Sequence, residues 1–199
     1  MIIFPCVQGS EEWLQARAGK PTASSFDKII TTSGKPSTSA KKYMYQLAGE
    51  RIAGAKEEGY KNGNMDRGIE LEPEAREYYE VITGNKVEQV GICYPDEKKL
   101  FSCSPDGFVG EDGIIEIKCP TLSVHVEYLL KEALPTDYIQ QVQGNLFITG
   151  RKYCDFISYY PSLKPLVVRV ERDEVFIKAL SIELEVFTKQ LEELTEKIR

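Results

Sequence analysis

One stretch constrains this chain more than any other: SPDGFVGEDGIIEIKCP, residues 104–120. Ile114, Ile115 and Ile117 read as a buried strand, yet Glu116 and Lys118 sit among them, and Asp106 lies upstream in a Pro-Asp-Gly turn. Charged side chains are rarely placed on a buried strand unless they are paired or bind a metal. Side chains alternate along a strand, so Glu116 and Lys118 share one face while Ile115 and Ile117 point to the other, into a core. The Gly- and Asp-rich turn folds residues 100–120 into a hairpin with a short first arm. Asp106 then lies beside Glu116, and two carboxylates converge with one ammonium next to them.

The pattern D-x9-E-x-K supports two readings. In the first, the acids hold a divalent cation for cutting phosphodiester bonds. Mg²⁺ takes carboxylate oxygen and keeps several waters, polarises a phosphoryl oxygen and lowers the pKa of a bound water, while a lysine steadies developing negative charge. In the second, Glu116 and Lys118 form an exposed ion pair on a surface hairpin, a common and weakly informative arrangement.

Charge narrows the function classes. The formal net charge is −6, so the chain is a poor general polyanion binder, because affinity for DNA comes largely from Lys and Arg at phosphates. That leaves room for an enzyme that grips DNA locally. Its 199 residues suffice for a real core and are expected to form one domain, 1–199. No apolar run approaches the ~20 residues of a membrane span, and the N-terminus lacks the basic start of a secretory signal. Cys6, Cys93, Cys103, Cys119 and Cys154 are odd in number and widely spaced. They fit reduced thiols in a cytosolic protein better than a disulfide framework or a zinc site.

The flanking sequence alternates between elements. Ser10 caps a short helix with acids in its first turn, and Thr22 offers a second cap before Phe26, Ile29 and Ile30. Residues 31–42 are loop-like, 38–54 helical, and YKNGN (60–64) a loop. Residues 65–82 are helical, with a start near Pro73, since proline is tolerated in a first turn. KVEQVGICY (86–94) reads as one strand. Ser123 caps a helix over 124–132, and Thr136 caps another reaching Ile148. Residues 152–160 and 165–172 are strands, and Asp173 caps a long C-terminal helix. The order predicts an α+β domain with a mixed central sheet flanked by helices.

WLQARAGKPTAS (13–24), RGIELEPEAREYYE (67–80), SCSPDG (102–107) and GIIEIKCP (113–120) occur here in one order. Together they resemble the bacteriophage lambda exonuclease and YqaJ-type viral recombinase family of the PD-(D/E)xK nuclease superfamily, over most of the chain. The resemblance implies a restriction-endonuclease-like core and Mg²⁺-dependent 5′-to-3′ digestion of one strand of linear duplex DNA, leaving a 3′ tail for recombination. Mn²⁺ is expected to substitute. It further implies a homotrimeric ring around the DNA and a single-strand annealing protein as partner.

Residue by residue, it implies that Asp106, Glu116 and the Ile117 carbonyl bind the metal, that Lys118 is the catalytic lysine, and that Glu72 completes the site. Arg17, Ser24, Ser104 and Gln141 match groups around the 5′-phosphate, with Gln143 competing with Gln141. Gln141 and Asn145 share a helical face by spacing. Met65 matches an apolar residue that splits the duplex end, or is a packing residue. His125, the only histidine, has no part in this chemistry and reads as a helix-surface residue. Lys35, Lys41 and Lys42 form a local basic cluster. The alternatives are a restriction or repair endonuclease of the same superfamily and a catalytically silent DNA-binding scaffold. An iron–sulfur variant is disfavoured, because the cysteines lack clustered ligand spacing.

Overall fold

The isoleucine-rich segment is the middle strand of a five-stranded sheet. The computed structural model describes residues 1–55 and 63–199, leaving the side chains of 63–66 undescribed. The elements run β1 (Ile2–Phe4), α1 (Glu11–Arg17), a 3-10 segment (Ala23–Lys28), α2 (Ala40–Ala53), α3 (Gly63–Thr83), β2 (Val87–Glu88), β3 (Ile92–Tyr94), β4 (Gly107–Val109) and β5 (Gly113–Lys118). Then come α4 (Leu122–Lys131), a 3-10 turn (Thr136–Tyr138), α5 (Ile139–Thr149), β6 (Tyr153–Ser158), β7 (Leu166–Glu171) and α6 (Glu174–Ile198). The main sheet has the order β2-β4-β5-β6-β7, and β1 pairs with β3 in a separate ribbon. Only β5 and β6 of the main sheet run parallel, which requires the crossover that α4 and α5 supply. The mixed sheet with flanking helices is the α+β arrangement predicted from the element order.

Period-2 alternation sorts the two faces. Ile114, Cys154 and Phe156 join α2, α5, α6 and the 3-10 segment in the larger core, whereas Ile115, Ile117 and Ile157 pack on Ala75 and Tyr79 of α3. The second face also buries Asp155, which accepts from Tyr79 Oη at 2.6 Å and from Arg169 Nε and Nη2 at 2.8 Å each. A buried carboxylate met by a bidentate guanidinium and a phenol is compensated. Helix α6 begins where Asp173 accepts from Phe176 N at 2.9 Å. It buries Phe176, Leu180, Leu184, Phe187 and Leu191, a stripe at helical spacing, and Phe187 stacks on Tyr43 of α2 with centroids 5.8 Å apart.

Several boundaries differ from the sequence reading. Residues 86–94 form two strands, because β2 pairs with β4 while β3 pairs with the N-terminal β1; a distant partner leaves no mark on local periodicity. Helix α3 continues through Pro73, where Ile69, four residues earlier, is exposed, so the carbonyl deprived of its donor has water within reach. Helix α4 starts at Leu122 after Thr121, not after Ser123. Thr136 opens a 3-10 turn, and α5 proper starts at Ile139. The loop expected over 60–64 lies partly outside the described residues.

Candidate active site

The site exists because β4 is short. β4 pairs with β5 only from Gly113 to Ile115. At its start, Asp106 N donates to Ile115 O at 3.2 Å, and the Asp106 carboxylate takes Ile117 N at 2.6 Å in place of a partner strand. The N–H and C=O of one strand residue leave the same edge, so the Ile117 carbonyl also projects along this open edge. Gln8 fixes the turn, donating to Val90 O and Pro105 O at 2.9 Å each.

Glu116 faces α5 from the next position and is 1 % exposed. Lys118 Nζ donates to its Oε1 at 2.6 Å and Asn145 Nδ2 to its Oε2 at 2.9 Å. Gln141 Nε2 also donates to Oε1. Gln143 faces elsewhere, donating to Glu171 O and accepting from Asp173 N at the start of α6. Of the two glutamines, Gln141 is therefore the one beside Glu116. Tyr138 places its ring 5.2 Å from Lys118 Nζ. The exposed-ion-pair reading does not hold, since Glu116 is buried.

Electrostatics at the open edge are strained. Burial, then repulsion from Glu116, pushes the Asp106 carboxyl well above the usual range; Lys118 opposes this and Glu72 adds to it. Burial works against the Lys118 ammonium, yet Glu116 and Asp106 outweigh it and hold its pKa above the ordinary lysine value. Glu72 lies on the same α3 stripe as Ala75 and Tyr79 and is ion-paired to Arg76.

Could this edge hold the expected cation? Among the described residues no three His, Cys, Asp or Glu side chains form a ready metal cage. What converges is two carboxylates and one strand carbonyl. That donor set fits Mg²⁺, which is bound through one or two carboxylates and keeps waters for its other positions, and a cation offsets the mutual repulsion of Asp106 and Glu116.

A second cluster lies beyond Ser104. Ser102 pairs with the segment after α1, through Ala23 N to Ser102 O at 2.9 Å and Ser102 N to Pro21 O at 3.0 Å. This pairing brings Arg17, Ser24 and Ser104 together. Arg17 is 8 % exposed. It donates to Ser104 Oγ at 3.3 Å and to Thr22 Oγ1 and Ser24 Oγ at 3.1 Å each, and stacks 3.9 Å from the Trp13 ring centroid. Trp13 Nε1 donates to Ser104 Oγ at 3.1 Å. The Arg17 Nε is buried without a hydrogen-bond partner, and burial lowers the guanidinium pKa to about 10. Arg17 thus remains a buried cation at neutral pH whose bonded partners are hydroxyls. It lines a cavity of about 210 Å³ with Thr22, Ser24, Lys28 and Tyr43, several times the volume of one water.

Two assignments change. His125 is fully buried, not a surface residue: Ser158 Oγ lies 2.8 Å from Nδ1, and Lys164 O 3.1 Å from Nε2. A carbonyl only accepts, so Nε2 donates to it, and the ring ties α4 to the end of β6. Thr22 precedes its 3-10 segment without capping it and accepts from Arg17 instead. Lys41 and Lys42 open α2 and Lys35 closes a turn with Thr31; all three are exposed or half-exposed. The side chain of Met65 lies outside the described residues. Sequence reasoning missed Trp13, Thr22 and Tyr138. The i, i+4 spacing of Trp13 and Arg17 on one helix carried a signal for the first.

Comparison with known proteins bears on the family and the fold. Residues 12–152 match the model of the YqaJ-like viral recombinase domain. The crystal structure of an alkaline exonuclease (LHK-Exo) from Laribacter hongkongensis is 38% identical, with TM-score 0.87, covering 95% of this chain and 96% of that one. The same protein in complex with dAMP superposes equally well, at TM-score 0.87 and 38% identity over the same shares of both chains. A phage-related exonuclease from Haemophilus somnus 129PT shares the fold at TM-score 0.73 and 19% identity, covering 90% of this chain and 96% of that one. No curated protein sequence matches the chain. The match spans well over half of the 199 residues, and the chain belongs to the YqaJ-like viral recombinase domain family.

Proposed function

We propose that this protein is a metal-dependent deoxyribonuclease that digests one strand of linear duplex DNA from its 5′ end and leaves a 3′ single-stranded tail for recombination. The observation that carries the reading is a pairing of two sites. The Asp106–Glu116–Lys118 cluster occupies an open strand edge, and next to it a buried Arg17 sits among hydroxyls. Kinship with an alkaline exonuclease at 38% identity supports the same chemistry.

Asp106, Glu116 and the Ile117 carbonyl would hold Mg²⁺, or Mn²⁺ in its place. The ion supplies a polarised phosphoryl oxygen and a bound water of lowered pKa. Lys118 stands beside the acids with a raised pKa, so it stays charged and offsets negative charge that grows in the transition state. Glu72, adjacent through its charge, completes the acidic rim. Gln141 and Asn145 hold Glu116 in one rotamer, and Gln141 acts there as a positioning residue.

Arg17, Ser24 and Ser104 would take the 5′-phosphate of the strand being degraded. A terminal phosphate carries more charge than an internal diester, and a planar guanidinium reads it with two donors. The same reading includes a homotrimeric ring threaded by DNA and a single-strand annealing protein that receives the exposed strand.

The test is initial digestion rate on linear duplexes with 5′-phosphate or 5′-hydroxyl ends, with Mg²⁺ and with chelator, for wild type, Asp106→Ala and Arg17→Ala. Asp106→Ala and chelator are expected to abolish cleavage. A charged hydrogen bond contributes ~1.5–3 kcal/mol, about ten- to a hundredfold, so wild type is expected to prefer the phosphorylated end and Arg17→Ala to lose that preference. Cleavage of closed circular duplex by the wild type favours the endonuclease alternative, and robust activity in Asp106→Ala ends the nuclease reading.

A further inference from the structure

Lys28 shares the cavity of about 210 Å³ with Arg17, yet makes none of the contacts that hold the guanidinium. It ends the 3-10 segment Ala23–Lys28, which is kinked at Ser25, with φ −130° and ψ 16°. Phe26 is fully buried in the core, while Ser25 and Lys28 line the cavity. The Lys28 ammonium sits 4.8 Å from the centroid of the Tyr43 ring. That ring is itself fixed, being buried and stacked on Phe187 with centroids 5.8 Å apart. A cation is drawn to an aromatic face by the ring quadrupole, so the fixed ring gives Lys28 a fixed station at the cavity wall.

The charge of this cavity runs against that of the whole molecule, whose formal net charge is −6. Three cations, Arg17, Lys20 and Lys28, line it with a single carboxylate, Glu50. Tyr43 adds no charge at neutral pH, since burial raises the pKa of its phenol. Glu50 accepts from Gly19 N and Gln46 Nε2 at 2.9 Å each, and Lys20 Nζ donates to Ala16 O at 3.0 Å. Lys28 meets the Tyr43 ring rather than a carboxylate among the described residues. The lining therefore carries a surplus of two positive charges. A phosphate monoester carries close to two negative charges at neutral pH, with a second pKa of about 6, whereas an internal diester carries one. The hydroxyls of Thr22, Ser24 and Ser25 stand among these cations and supply neutral donors for the remaining phosphate oxygens.

We propose that Lys28 is the second cation of the 5′-phosphate pocket and sets its preference for a phosphorylated end over a 5′-hydroxyl end. The proposal rests on the reading of Arg17 as the site of the terminal phosphate. The two cations divide the recognition. Arg17 is planar and buried, and its fork fixes the direction of the phosphate. Lys28 supplies a point charge, which answers the added charge of a monoester without demanding one orientation. A 5′-hydroxyl end offers no such dianion, so Lys28 gains a partner only at a phosphorylated end.

The experiment is anisotropy binding in chelator of blunt duplexes bearing a 5′-phosphate or a 5′-hydroxyl, for wild type, Lys28→Met and Lys28→Arg. Methionine keeps an unbranched stem against Tyr43 and removes the charge, and arginine returns it. Lys28 is half-exposed, which places its contact at the lower end of the range for a charged hydrogen bond. Lys28→Met is therefore expected to lower the affinity ratio of phosphate to hydroxyl ends about tenfold, and Lys28→Arg to keep most of it. An unchanged ratio in Lys28→Met, equal weakening on both ends, or an arginine variant no better than methionine overturns the role of Lys28 and leaves the Arg17 pocket standing. A wild type that binds both ends alike overturns the Arg17 reading, and the role of Lys28 with it.

Discussion

Asn145→Ala tests whether α5 exists in this molecule to hold Glu116. Both residues are 1 % exposed, and Asn145 Nδ2 donates to Glu116 Oε2 at 2.9 Å. A hydrogen bond to a charged group contributes ~1.5–3 kcal/mol, and a buried carboxylate that loses a donor keeps its desolvation cost. The variant is therefore expected to lose ~1.5–3 kcal/mol of stability in urea titration, or about 3–12 °C in Tm for a domain of this size. Truncation also leaves a cavity, so the single variant alone does not isolate the bond. A double-mutant cycle with Glu116→Gln removes that ambiguity, because the cavity is the same in both backgrounds. Against a neutral partner the bond is worth only ~0.5–1.5 kcal/mol, so Asn145→Ala is expected to cost about 1 kcal/mol less in the Glu116→Gln protein. Equal costs in the two backgrounds, within about 0.5 kcal/mol, would refute the argument that Asn145 stabilises a charge.

Two further outcomes follow from single contacts. Lys118→Ala is expected to retain DNA binding and lose most turnover, since its charge acts on the transition state more than on the ground state; unchanged kcat at saturating metal removes the assigned role. Gly144→Ala would place a Cβ 2.6 Å from the Phe26 ring and 3.2 Å from the Ala23 Cβ, and overpacking of this kind costs ~1–3 kcal/mol. Denaturation midpoints read it, and a neutral result means the 3-10 segment yields freely.

What the sequence disclosed was local. The hairpin and the shared face of Glu116 and Lys118 followed from a period of two within a dozen residues. The i, i+4 spacing of Gln141 and Asn145 likewise placed both on one side of α5, and both reach Glu116. What it hid depended on distant partners. Nothing in KVEQVGICY announces that β3 will pair with the N-terminal β1. His125 looks like any polar helix residue until β6 brings Ser158 to its ring. Thr22 carries a cap signature, but the extended segment beside Ser102 turns its hydroxyl toward Arg17 instead.

The shortness of β4 links the fold to the chemistry. Pro105 precedes Asp106 and has no N–H to give a neighbouring strand, so the ladder that begins at Gly107 cannot extend backwards as regular sheet. A longer β4 would cover Ile117 with backbone and leave its N–H nothing to offer a side chain. Because the ladder stops, Ile117 N goes to the Asp106 carboxylate at 2.6 Å, and the acid is held against the same strand that carries Glu116 and Lys118. Sheet edges are usually blunted to prevent pairing with other chains. Here a charged turn closes the edge, and Gln8 locks that turn through Pro105 O and Val90 O. Glu116 thus stands on a rigid strand with Asp106 held against it, as the proposed placing of a hydrated cation and a phosphate to within a fraction of an ångström would require.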